Sequence, residues 1–151
     1  MKKGLIYVIG AGLGTGYAPV APGTAGSLLA VLLFFLWPQA SFFWLMMAIV
    51  FFLIGVPVST AIEKEHGQDP SLVVIDEVVG QWLALIFLPI FNWKIALAAF
   101  LLFRLFDIWK PFPINRSQSL KAGWGIMVDD VLAGIYANIV LQIVLRSGLL
   151  R

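Results

Sequence analysis

The chain has 151 residues, 61% of them hydrophobic and only 12% charged, with a net charge of +2. Its mean hydropathy of +0.97 sets it apart from globular chains, in which apolar residues make up about 45–50%, and points to one membrane-embedded domain over residues 1–151. There is no cysteine and His66 is the sole histidine. Disulfides, cysteine nucleophiles, thiolate metal sites and a multi-histidine zinc centre are therefore excluded, and no basic run is long enough for nucleic acid.

The N-terminal MKKGLIYVIGAG superficially resembles a signal peptide. Glycines break its apolar run within about ten residues, so no cleavage is expected. The same stretch hints at a dinucleotide-binding fingerprint, which fails: the sixth position from Gly10 is Thr15, and no acidic residue follows at the required distance. Residues 12–27 read instead as a Gly/Pro-rich loop running into a helix. Free backbone N–H groups there attract phosphate, and the Thr24 and Ser27 hydroxyls can add hydrogen bonds. An ordinary capped helix start would use the same residue types.

Five apolar stretches follow, roughly 25–37, 42–58, 78–91, 95–106 and 131–145. All are predicted as helices of an all-α, compact polytopic bundle, with Pro38 ending the first and Pro89 near the end of the third. Only the second approaches the roughly 20 residues that cross a hydrocarbon core; the others need their flanks or a thinned bilayer. Residues 38–41 and 90–94 make tight connections. Residues 1–24, 59–77 and 107–130 hold nearly all the polar side chains, and they share one side if all five stretches span. Lys2, Lys3, Lys64, Lys110, Arg116 and Lys121 lie in them, so the positive-inside rule places that side in the cytoplasm.

The carboxylates are the informative residues. Of eight Asp and Glu, five fall in three short motifs: Asp76-Glu77, Asp107 and Asp129-Asp130. An ionised carboxylate at membrane depth costs about 2.5–3.5 kcal/mol, so such residues are usually functional. Two unit charges 4 Å apart repel by up to about 4 kcal/mol at an effective dielectric of about 20, and a divalent cation is the simplest remedy. Asp76 and Glu77 immediately precede the third predicted helix, whose dipole tolerates anions. Adjacent residues project about 100° apart, so at most one is expected to bind a given metal directly. Arg104, Asp107 and Lys110 recur every three residues and share a face if the helix reaches Lys110, before Pro111 ends it. They read either as a metal ligand flanked by two phosphate-binding cations or as a local ion-pair ladder. Phe106, Trp109 and Phe112 read as interfacial anchors.

Asp129 and Asp130 stand at the start of the last predicted helix. Asp130, Gly134, Asn138, Gln142 and Arg146 are spaced by four, a polar and small stripe expected to face the bundle interior. Within it, Asn138 and Gln142 read as helix–helix glue. The Glu63–Lys64–Glu65–His66 cluster reads as a solvated face, and Asp69, before Pro70, as a turn former.

With these motifs in place, the sequence resembles the phosphatidylglycerophosphatase A family. The shared segments are GTAGS at 23–27, DEVVG at 76–80, RLFDIWKPFPI at 104–114 and GIMVDDVLAG at 125–134. The resemblance implies an all-helical, magnesium-dependent lipid phosphatase of the bacterial inner membrane. It would convert phosphatidylglycerophosphate to phosphatidylglycerol and inorganic phosphate. The expectation is then that Asp76 or Glu77, with Asp107, Asp129 and Asp130, binds one or two Mg²⁺, a cation that prefers oxygen ligands and activates bound water. Arg104, Lys110 and the Thr24/Ser27 loop would balance charge on the phosphoryl oxygens. The rival reading is a small ion-coupled transporter or channel using the same carboxylates; a blander one is a non-catalytic assembly subunit.

Overall fold

The computed structural model describes residues 2–37 and 40–148, and among these it is all-helical, without a strand. The order is α1 (Lys3–Gly10), irregular 3-10 turns (Gly12–Tyr17), α2 (Pro22–Leu36), α3 (Ser41–His66), α4 (Ile75–Leu85), α5 (Trp93–Trp109), a short α6 (Ile114–Ser117) and α7 (Gly123–Arg146). Pro38, expected to end the first apolar helix, lies outside the described residues; α2 ends at Leu36, with Trp37 as its C-cap.

The five apolar stretches lie in α2, α3, α4, α5 and α7. Among the described residues, only α3 and α7, with 26 and 24 residues, are long and apolar enough to cross a membrane. At 15, 11 and 17 residues, α2, α4 and α5 fall short by length. Several predicted boundaries also move. The N-terminal segment contains α1, which composition did not announce. α3 runs through Pro57 to His66, so the charged cluster rides on its last turn. α4 stops at Leu85 rather than near Pro89, and α7 begins at Gly123, placing Asp129 and Asp130 well inside the helix.

Burial explains the arrangement. α4 is the central helix, packed against α2, α3, α5 and α7, and nine of its eleven residues are buried. Trp82 of α4 packs tilted against Trp44 and edge-on against Phe51 of α3, at ring separations of 5.0 and 5.2 Å, and its indole N–H donates to the Ala30 carbonyl at 3.1 Å. The surrounding helices turn large apolar side chains outward, including Leu32 of α2, Leu53 of α3, Leu101 of α5 and Ile143 of α7. A surface this apolar suits lipid and not water, which fits a membrane protein.

Where α4 ends is decided by its neighbours. Asn138 of α7 donates from Nδ2 to the Ala84 and Ile86 carbonyls at 3.2 and 2.7 Å, and Ser41 Oγ accepts from the Phe87 N–H at 3.0 Å. Those groups would otherwise be orphaned at a helix end. Gln142 donates to Asn138 and accepts from Arg146, so the last three members of the polar stripe on α7 form a hydrogen-bonded ladder. Asn138→Leu would leave the carbonyls without partners, and an unsatisfied buried group costs about 1–3 kcal/mol. The expected result is a clear drop in thermal unfolding temperature in detergent; an unchanged midpoint would show that water serves the carbonyls equally well.

A carboxylate cleft at one end of the bundle

Successive long helices run in alternating directions, so the N-termini of α2, α4 and α7 and the C-termini of α3 and α5 gather at one end. The motifs therefore converge although they are far apart in sequence. They line a cleft of about 270 Å³ built from Ala21–Gly23 at the start of α2, Asp76 and Glu77 on α4, Arg104 and Asp107 on α5, Lys110, and Asp129 and Asp130 on α7. The turn carrying Asp69 closes one side.

The five predicted carboxylates do not form one undifferentiated cluster. Asp76, Glu77 and Asp130 come together, each offering an oxygen within 4.8 Å of one from both others. Asp76 Oδ1, Glu77 Oε2 and Asp130 Oδ2 are buried and make no hydrogen bond. Burying even one such charge without a partner is costly, and three together repel. This donor set fits a hard divalent cation: all oxygen, with no sulfur or nitrogen donor. Both members of the adjacent Asp76-Glu77 pair reach the triad, because each lies in the first turn of α4 and Asp130 approaches from α7.

Asp107 and Asp129 are paired with cations instead. Arg104 Nη1 lies 2.6 Å from Asp107 Oδ2 and 3.8 Å from Glu77 Oε1. Lys110 Nζ donates to Asp129 Oδ2 at 2.6 Å, while Asp129 Oδ1 accepts the Asp130 backbone N–H at 3.0 Å. The helical face shared by Arg104 and Asp107 does not extend to Lys110. Lys110 is the C-cap of α5, with a left-handed φ of 48°, and this turn aims it across the cleft at α7. Burial would lower its pKa, but the hydrogen bond and charge of Asp129 outweigh burial and raise it above the ordinary lysine range. A raised lysine pKa stabilises the fold below its unfolded value and is lost only as pH climbs through the folded one. Lys110 therefore keeps its positive charge across the neutral range.

Thr24 and Ser27 do not line the cleft. Ser27 is fully buried and its hydroxyl donates to the Gly23 carbonyl of its own helix at 2.9 Å. From this motif it is the backbone of α2 that reaches the cleft, at Pro22 and Gly23. A Cβ on Gly23 would collide with Glu77 Oε1 and stand 3.0 Å from Arg104 Nη1, so glycine is what lets α2 begin against the carboxylates. Asp69, read as a turn former, does hold a left-handed φ of 49°, but it also faces the cleft. Its one sequence signal was a carboxylate within a few residues of Asp76. Trp109 and Phe112 are exposed at this end, as anchors would be; Phe106 packs edge-on against Tyr136. His66 sits apart, against the Tyr7 hydroxyl at 2.8 Å, with Lys3 and Glu65 paired beside it.

The sequence model described as Phosphatidylglycerophosphatase A matches residues 8–145. The chain belongs to the phosphatidylglycerophosphatase A family. Relatives include a protein of Escherichia coli strain K12 named phosphatidylglycerophosphatase A, 36% identical over 85% of this chain and 77% of that one. A Haemophilus influenzae protein of the same name is 42% identical over 89% and 85%. A Bacteroides thetaiotaomicron protein named putative phosphatidylinositol-3-phosphatase is 43% identical over 92% of both chains. No solved structure matches. Family membership makes the chain an enzyme of the phosphatase class and does not favour the transporter reading.

Proposed function

We propose that this phosphatidylglycerophosphatase A family member hydrolyses the terminal phosphate monoester of phosphatidylglycerophosphate, with Mg²⁺ held by Asp76, Glu77 and Asp130. The observation that carries this reading is the convergence of three buried, unpartnered carboxylate oxygens beside Arg104 and the α2 N-terminus. When bound there, Mg²⁺ supplies charge neutralisation and a lowered water pKa. The phosphate is received by Arg104 and by the first backbone N–H groups of α2, whose dipole favours an anion. Asp129, outside the triad and fixed by Lys110, accepts the proton of the attacking water and returns it to the departing alcohol. A bond from water oxygen to phosphorus forms, the ester P–O bond breaks, and inorganic phosphate and the head-group alcohol remain. The apolar belt keeps the acyl chains in the bilayer, and the basic residues at this end orient it toward the cytoplasm of a multi-pass inner-membrane protein.

The name of the Bacteroides relative favours one second reading, a phosphoinositide monoester as substrate. Phosphate release by detergent-purified protein from phosphatidylglycerophosphate and from phosphatidylinositol 3-phosphate, each in Mg²⁺ and in EDTA, separates the two. Release from the first lipid that stops in EDTA is expected. Undiminished release in EDTA would remove the cation from the reading, and preference for the second lipid would replace the substrate.

A further inference from the structure

Beside the carboxylate cleft lies a second, larger concavity of about 490 Å³, and the two share Asp69 and Asp129 as common wall. Its other sides come from Glu63 on the last turns of α3, Gln68 in the following turn, Gln118 and Ser119 after α6, and Lys121 before α7. Among the described residues, no side-chain hydrogen bond or ion pair engages Glu63, Gln68, Asp69, Gln118 or Lys121. The amides of Gln68 and Gln118 each offer both donors and an acceptor.

The charge of this groove limits its occupant. Glu63 and Asp69 face it against Lys121, and Asp129 is already paired with Lys110, so the lining keeps a net negative charge that disfavours an added anion, whereas hydroxyl groups can donate to carboxylates and exchange hydrogen bonds with the amides. Position narrows it further. With the phosphoryl group at the triad, the alcohol to which it is esterified must extend into space adjoining the cleft, and this groove opens across Asp129 from it. The acyl chains are held elsewhere, because the groove is walled mainly by polar residues.

We propose that this groove seats only the uncharged polyol segment of the leaving alcohol, with its phosphodiester and acyl chains outside, and that Gln68 and Gln118 select monoesters whose head group carries a free hydroxyl. The proposal rests on the lipid phosphatase reading and adds to it the subsite that chooses the head group. Glycerol and inositol share the required chemistry, and the substrates tested distinguish them.

The test compares kcat/KM for phosphatidylglycerophosphate with that for an analogue lacking the head-group hydroxyl, in the wild type and in Gln68→Ala/Gln118→Ala. Both glutamines are exposed, so the fold is expected to survive their truncation, as gel filtration would verify. The wild type is expected to prefer the hydroxylated lipid by about tenfold, the size of one or two lost hydrogen bonds. The double variant is expected to bring that ratio close to one, mainly through KM. Phosphatidylinositol 3-phosphate and its ring-deoxy analogue, run in parallel, show which polyol the groove prefers. A wild-type ratio near one, or a ratio the double variant leaves intact, would overturn the subsite while leaving the phosphatase reading standing. No release from any lipid by folded protein would overturn the phosphatase reading, and the subsite with it.

Discussion

Asp130→Asn is expected to lower phosphate release by at least about 10²–10³-fold, the scale on which loss of one preorganised electrostatic group reduces turnover. Asp130 is buried at 3% exposure and contributes to the triad an oxygen with no protein partner. Replacing it removes one negative charge and turns an anionic ligand into a weaker neutral amide oxygen without changing side-chain size. Stability should move in the opposite sense from activity. Without divalent cation the wild type holds three repelling carboxylates together, so in EDTA the variant should unfold at an equal or higher temperature. Adding Mg²⁺ should then raise the wild-type midpoint, since a ligand at a hundred times its Kd stabilises by about 2.7 kcal/mol, and raise the variant's far less. Thermal melts with and without Mg²⁺, beside a phosphate-release assay, read both effects. Wild-type turnover in the variant, or an undiminished Mg²⁺-induced shift, would remove Asp130 from the site.

Gly134→Ala should damage both fold and activity. Gly134 of α7 lies directly on the Gly80 backbone of α4. An added Cβ would strike the Gly80 carbonyl oxygen and sit 2.9 and 3.1 Å from its carbonyl carbon and Cα. These are backbone atoms, so no side chain can swing aside. The reciprocal position is as tight: a Cβ on Gly80 would stand 2.5 Å from both the Asp130 carbonyl and Phe103 Cε2. Overpacking of this kind costs about 1–3 kcal/mol. The larger effect should be on turnover, because Asp130 lies one turn before Gly134. A displaced α7 carries that carboxylate away from Asp76 and Glu77, and a shift of about 1 Å near a reacting group can cost about a hundredfold. Gly4→Ala is the comparison, since nothing lies within 4 Å of the added atom. Equal melting temperatures and equal turnover for the two variants would show that α4 and α7 separate freely.

Much of the site was legible because carboxylates are rare in this chain and stand beside apolar segments. Asp76, Glu77, Asp107, Asp129 and Asp130 all line the cleft, as the cost of leaving charge near lipid led one to expect. The polar stripe on α7 was legible for the same reason, and Asn138 and Gln142 do join helices. Periodicity located the apolar helices but misjudged their ends. The stop at Leu85 depends on Asn138, 53 positions later, and the turn at Lys110 on a left-handed backbone no residue type announced. Thr24 and Ser27 were plausible phosphate ligands by composition alone; Ser27 instead satisfies itself within its helix, and it is Gly23 whose lack of a side chain makes room at the cleft.

The sequence by itself determined that the chain is an apolar helical membrane protein of this phosphatase family, with most of its carboxylates in three short motifs, because hydropathy and charge scarcity are properties of local segments. Only the tertiary structure decided how those acids divide. Asp76, Glu77 and Asp130 form a cation-sized triad because α4 and α7 cross closely at Gly80 and Gly134. Asp107 and Asp129 are held by Arg104 and Lys110 because the end of α5 turns toward α7. That partition depends on distances between side chains up to 54 residues apart, which packing sets and no local pattern encodes.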